Sequence, residues 1–327
     1  MRTFKPLIVK NKKIKKRWLF VRALWTRIEG LLRREFAMAP ANAPCGSPKS
    51  AGGATSYATL LFAFFTLWSS FLAWKAIKEQ RIELWPIFAT MVASLATRHV
   101  VNCVSPSRLF TNIFLTFLCV TCSGLPAAWM TYKQWESEGW ATLVDHDLLV
   151  HKPWQGAHYL LCFHTGFWLY DAFDLLNSSL YIHCPGMLAH HVIVVVAFSS
   201  ILLSELGLSY LVMFLLCEIH AIFAFSRRLL RMLGMYQNGS LLVKIHWGLH
   251  WMAFMTVRLP LHIMITIQLF LNRSKVLLSM RWPLVQLPIL VACLLGINSW
   301  NVFFGLDLYK AFLKDTMVAK EESLKVA

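Results

Sequence analysis

PGMLAHHVIVVVAFSS, residues 185–200, sets two adjacent histidines at the head of an unbroken apolar run. No lysine, arginine or carboxylate stands beside them. The run is long enough to enter a bilayer, where a spanning helix needs roughly 20 predominantly apolar residues. A helix on the surface of a soluble domain would carry a polar face every turn, and this stretch carries none after His191. Its reading decides the fold class: all-α, a polytopic membrane helical bundle.

The whole chain agrees. It has 327 residues, is 57% hydrophobic and only 15% charged, with a mean hydropathy of +0.54. Soluble domains are about 25% charged. Apolar segments of spanning length fall at 56–74, 84–104, 109–130, 154–176, 184–203, 207–226, 246–271 and 284–306, giving about eight transmembrane helices.

The net charge of +16 is concentrated at the start, where residues 1–34 hold twelve basic residues and one acid. Beside a membrane domain this block reads as an anionic-lipid and topology signal, not a nucleic-acid one. Residues 18–35, WLFVRALWTRIEGLLRRE, space apolar groups as an interfacial amphipathic helix does; an arginine-rich targeting sequence is the rival reading. Residues 38–55 are rich in proline, glycine and small residues and read as a linker. With eight spans and a cytosolic start, 23 Lys and Arg fall on the cytosolic side and eight on the other, as the positive-inside rule favours. Of the glycosylation sequons at Asn177, Asn238 and Asn272, this orientation turns only Asn272 away from the cytosol. The CVTC pair, Cys119 and Cys122, lies inside a spanning segment and reads as packing.

Polar groups at bilayer depth are expensive and usually face a cavity or a partner. This chain places His164, Asp171 and Asp174 on the fourth span, and His190 and His191 on the fifth. Glu218 and His220 lie on the sixth, Arg258 and His262 on the seventh, Asn298 and Asn301 on the eighth. The bland readings are that Asp174 sits at the headgroups, that His164 is a packing histidine, and that Arg258 caps carbonyls freed by Pro260 or pairs with Glu218. The functional reading is a polar-lined interior shared by these spans. Two adjacent helical residues stand about 100° apart, so His190 and His191 make a poor metal pair, and no metal or resident cofactor is expected. A neutral imidazole in an apolar cavity suits a general base better.

RLFTNIFLTFLCVTCSG (108–124), GFWLYDAFDLL (166–176), MLAHHVIVVVAFSS (187–200), LLCEIHAIFAFSRRLLRM (215–232) and VRLPLHI (257–263) together resemble the TLC-domain family. The resemblance implies a TLC domain over 105–310, its six spans forming a barrel around a polar-lined cavity. Residues 1–55 would precede it as a cytosolic segment, 56–104 as one or two further spans, and 311–327 would follow as a cytosolic tail. Ceramide synthases in this family need the histidine pair and a downstream His-Asp-x-x-Asp element. Here His220 is followed by Ala221, and no aspartate appears before Asp307. The segment around Glu218 and Arg227 is more similar to TLC domain-containing proteins one and two. That branch implies a plasma-membrane regulator of phospholipid acyl composition and fluidity, which limits polyunsaturated phosphatidylethanolamine. Its partners would be membrane lipids or acyl chains, held by His164, Asp171, His190, His191, Glu218, His220, Arg258 and His262. The alternative is an endoplasmic-reticulum N-acyltransferase that uses acyl-CoA, with His190 and His191 as catalytic groups.

Overall fold

The computed structural model describes residues 51–105, 107–182, 185–236, 240–279 and 283–326. The basic segment, its expected interfacial helix and the sequon at Asn238 lie outside the described residues.

Helix α1 runs Ala51–Lys78, α2 Trp85–Val104 and α3 Arg108–Glu138. Two short helices follow, α4 Ala141–Val144 and α5 His146–His151, then α6 Ala157–Asn177 and α7 Pro185–Ser204. One span is broken into α8 Leu208–Leu215 and α9 Glu218–Met232. Another joins α10 Leu241–Met252, a π-helical stretch Ala253–Arg258 and α11 Leu259–Leu271. The chain ends in α12 Arg273–Ser279 and α13 Pro283–Val326. Helix α1 starts inside the expected linker, and α13 continues as helix through the expected tail. The widened turn before Leu259 sits next to Pro260, which has no N–H to return to the preceding turn.

Among the described residues, seven helices are long and apolar enough to cross a membrane: Tyr57–Lys78, Ile82–Val104, Arg108–Glu138, Met187–Ser204, Leu208–Met232, Leu241–Leu271 and Leu290–Asp315. Helix α6, the fourth expected span, is not among them. Its 21 residues reach about 31 Å at 1.5 Å per residue, but His158, His164, Asp171 and Asp174 dilute its hydropathy. The packing resolves this. Every residue from His164 to Ala172 is buried, because α1, α2, α3, α7 and α8 all pack against α6. Protein, not lipid, surrounds it. The outer surface is apolar instead, with Leu60, Leu67, Val92 and Leu295 more than half exposed.

Neighbour relations close a ring of six spans: α3 on α6, α6 on α7, α7 on α13, α13 on α11, the π-helical turn on α9, and α9 back on α3. Helix α8 fills one half of that ring, touching α3, α6, α7 and α11. Close approach depends on small residues. A Cβ on Gly124 would meet Ile219 N at 3.1 Å, and one on Gly166 would run into the Ile87 carbonyl oxygen.

The long-range contacts at the helix ends agree with eight crossings. Lys275 Nζ meets Asp147 Oδ2 at 2.6 Å, Arg81 pairs with Glu205, and Gly207 N donates to Val150 O at 2.9 Å. All join ends that eight crossings put on one side. On the other side Arg98 pairs with Asp174, and Asp315 gathers Arg227 at 2.9 Å, Arg231, Tyr236 OH at 3.1 Å and Trp247 Nε1 at 3.2 Å.

Two outcomes follow. Gly166→Ala should cost about 1–3 kcal/mol, since its methyl meets backbone that cannot yield; an unchanged thermal midpoint in detergent would contradict this packing. In the α3–α6 connection, burial holds the His146 imidazole below its ordinary range, with Tyr210 OH 2.9 Å from Nδ1. The unfolded chain then takes up a proton that the folded one resists. Stability is fully present above pH of about 6.5 and declines as the pH falls below it. His146→Gln should reduce the drop in thermal midpoint between neutral and mildly acidic detergent solution.

Candidate functional site

The ring interior is lined by polar and aromatic side chains from all six spans. From α6, Asp171 occupies a junction. Its Oδ2 lies 2.8 Å from His191 Nε2 on α7, and Asn112 Nδ2 on α3 donates to Oδ1 at 2.8 Å. Asn112 also reaches Asp174 Oδ2 at 3.4 Å. Asp174 is 3% exposed and paired with Arg98. It therefore joins the same network, at the end of α6.

His191 is fully buried, and both ring nitrogens are committed. Nδ1 faces the Met187 carbonyl, which can only accept, so Nδ1 carries a proton. Nε2 faces Asp171. The pair is therefore imidazolium with carboxylate, or neutral imidazole with a protonated acid. His190 differs. Neither of its ring nitrogens has a hydrogen bond to a described residue, and the ring is half-buried. It stacks on Trp300 of α13 at 5.8 Å between centroids and meets Trp168 edge-on at 5.1 Å. Adjacent histidines thus take separate parts, one bonded on both ring nitrogens and one held by ring contacts.

Ser123, His164 and Glu218 resemble a hydrolytic triad in composition. Ser123 Oγ is 2.9 Å from His164 Nδ1, and Glu218 Oε1 is 3.8 Å from His164 Nε2. The hydrogen-bond directions forbid that role. Trp168 Nε1–H donates to His164 Nε2, so the imidazole proton sits on Nδ1 and is given to Ser123. Ser123 in turn donates to the Cys119 carbonyl at 2.8 Å. The histidine cannot take the serine proton, which general-base activation requires. Among the described residues, no group of three or more His, Cys, Asp or Glu could hold a metal ion.

The other wall centres on Arg258. Its Nε donates to Asn301 Oδ1 at 2.9 Å, and Nη1 reaches His220 Nδ1 at 3.4 Å. The guanidinium lies 4.5 Å from the Phe304 ring centre. Glu218 makes no ion pair with Arg258 but is close enough to act on it through space, and no bond from Arg258 to a freed carbonyl is present among the described residues. His262 accepts from Asn301 Nδ2 at 2.7 Å, and its ring packs on Phe214 at 4.8 Å.

All eight expected residues therefore join one interior. Sequence reasoning did not find Ser123, Trp168, Asn112, Arg98, His250 or Trp300 as partners. Asn112, Arg98 and His250 are polar groups in apolar segments, and that cost was the available signal. A cleft of about 670 Å³ opens elsewhere, at the α5–α6 and α7–α8 ends, lined by Trp154, His158 and Glu205. It lies away from this interior, and its Glu205 is already paired with Arg81.

The family model of the TLC domain matches residues 108–310, well over half of the chain. The chain is also 28% identical over 166 residues to TLC domain-containing protein 2 of Danio rerio, a match that covers 51% of this chain and 63% of that protein. It thus spans less than two thirds of that curated relative. No solved structure matches the chain at comparable significance.

Removing one partner of a buried pair typically costs about 3–5 kcal/mol, because the other is left uncompensated. Asp171→Ala and His191→Ala should therefore each lower the thermal midpoint strongly, and the double variant should cost less than their sum. His190→Ala should leave it nearly unchanged. Equal effects at His190 and His191 would contradict the division between them.

Proposed function

The chain belongs to the TLC-domain family, and we propose that this multi-pass membrane protein regulates phospholipid acyl composition. In this reading it limits polyunsaturated phosphatidylethanolamine, and so fluidity, at the plasma membrane. The observation that carries the reading is the shared interior, where six apolar spans bring His164, Asp171, His190, Glu218, Arg258 and His262 together. A lipid presents the same combination, a polar head on apolar chains, and binding sites pair a mostly apolar wall with a few placed polar groups. The similarity to the Danio rerio TLC domain-containing protein supports the same branch of the family.

Binding is favoured over group transfer by the hydrogen bonds. His191 is occupied on both nitrogens, and Ser123 cannot be activated by His164. His190 is the ring positioned to touch a lipid. It is also the residue on which the acyltransferase alternative would rest.

Cells lacking the protein should accumulate polyunsaturated phosphatidylethanolamine, measured by lipidomics. Wild-type protein should reverse the change and His190→Ala should not, at matched protein level. Unchanged phosphatidylethanolamine acyl composition overturns the reading. Turnover of labelled acyl-CoA with a sphingoid base, lost in His190→Ala, would replace it with the acyltransferase.

A further inference from the structure

Arg258 lies 17 residues into the Leu241–Leu271 span and 13 from its end, near mid-bilayer depth. A guanidinium there requires compensation. Its protein partners supply hydrogen-bond acceptors but no charge: an amide, a neutral imidazole and an aromatic face. No carboxylate forms an ion pair with it among the described residues. Glu218, the nearest acid by sequence to its partner His220, stands about 200° around α9 from that residue; it acts on Arg258 through space but makes no ion pair with it.

The direction of each hydrogen bond sharpens the deficit. His220 receives from Arg258 on Nδ1, so its proton is on Nε2 and points at His250 Nε2, 3.0 Å away. The His250 proton is thereby placed on Nδ1, which is buried without a partner. On the second branch Asn301 accepts through Oδ1 and donates through Nδ2 to His262 Nδ1. The His262 proton is placed on Nε2, also buried without a partner. Every proton in the network points outward from Arg258, and both branches end on unmet donors. The Arg258 Nη2 amine has no partner among the described residues either. Around Arg258 the network holds one cation and two unmet donors, with no carboxylate at ion-pair distance among the described residues.

We propose that Arg258 is the counter-cation for an oxyanion carried by a bound lipid, either a fatty-acid carboxylate or a lipid phosphate. This deepens the lipid-binding reading above and rests on it. Asn301 holds the guanidinium by Nε, Phe304 covers one face, and the Nη edge is left for the ligand. Both oxyanions offer charged acceptors, whereas an ester accepts without charge and an alcohol brings a proton of its own.

The full-length protein in detergent should bind labelled oleate more tightly than oleyl alcohol, or dioleoylphosphatidate more tightly than dioleoylglycerol, by at least about tenfold. Preference in the first pair identifies a carboxylate, and in the second a phosphate. Arg258→Gln should abolish the preference and Arg258→Lys should keep most of it. Asn301→Asp supplies a carboxylate from within, so it should abolish the preference while raising the thermal midpoint of delipidated protein. Equal binding within both pairs overturns the proposal, as does a preference that survives Arg258→Gln or Asn301→Asp. These outcomes are separate from the lipidomics. Charge-selective binding with unchanged phosphatidylethanolamine would retain the site and discard the physiological role.

Discussion

A carboxylate at bilayer depth must find donors or give up its charge, and Asp171 finds them on two other helices. Asn112 comes from α3 and His191 from α7, while Asp171 itself stands on α6. One turn along, Asp174 does the same with Arg98 of α2. These contacts fix four helices against one another. They also explain why α6 lies where it does. A helix carrying two aspartates and two histidines cannot face lipid, so it is enclosed, and its neighbours turn their apolar surfaces outward.

Once α6 is inside, the remaining spans of the domain have little freedom. Gly124 and Gly166 allow α9 and α2 to approach to backbone contact, and the ring closes through α13. The histidine pair gains its meaning from that closure. On a free helix both rings would be alike. Here His191 is turned to Asp171 and becomes part of the scaffold, and His190, about 100° around the helix, is turned to Trp168 and Trp300. The same sorting applies to Glu218 and His220, which share a helical turn but serve opposite walls.

Much of this was legible in the sequence. The spans follow from run length, and the interior residues follow from the cost of polar groups in lipid. The pairings were not legible, because they depend on which face of each helix meets which neighbour. Arg258 and Glu218 form the obvious pair by charge, yet they interact only through space, while Arg258 donates its hydrogen bonds to Asn301 and His220. Asp174 reads as a headgroup residue by position near a span end, and its burial against Arg98 and Asn112 could not be read from that position. Asp315 lies in what composition marks as a tail, and its role appears only when α9, the following loop and α10 bring Arg227, Arg231, Tyr236 and Trp247 around it. The α8–α9 break, at Leu216 and Cys217, carries neither proline nor glycine to announce it.

The central claim is that the six-span interior holds a lipid. Native mass spectrometry of the full-length protein, released from detergent, tests it most directly. The account predicts a species heavier than the chain by the mass of one lipid, lost in Arg258→Gln. A bare-chain mass, or adducts that spread over many lipids and are unchanged in that variant, would contradict it.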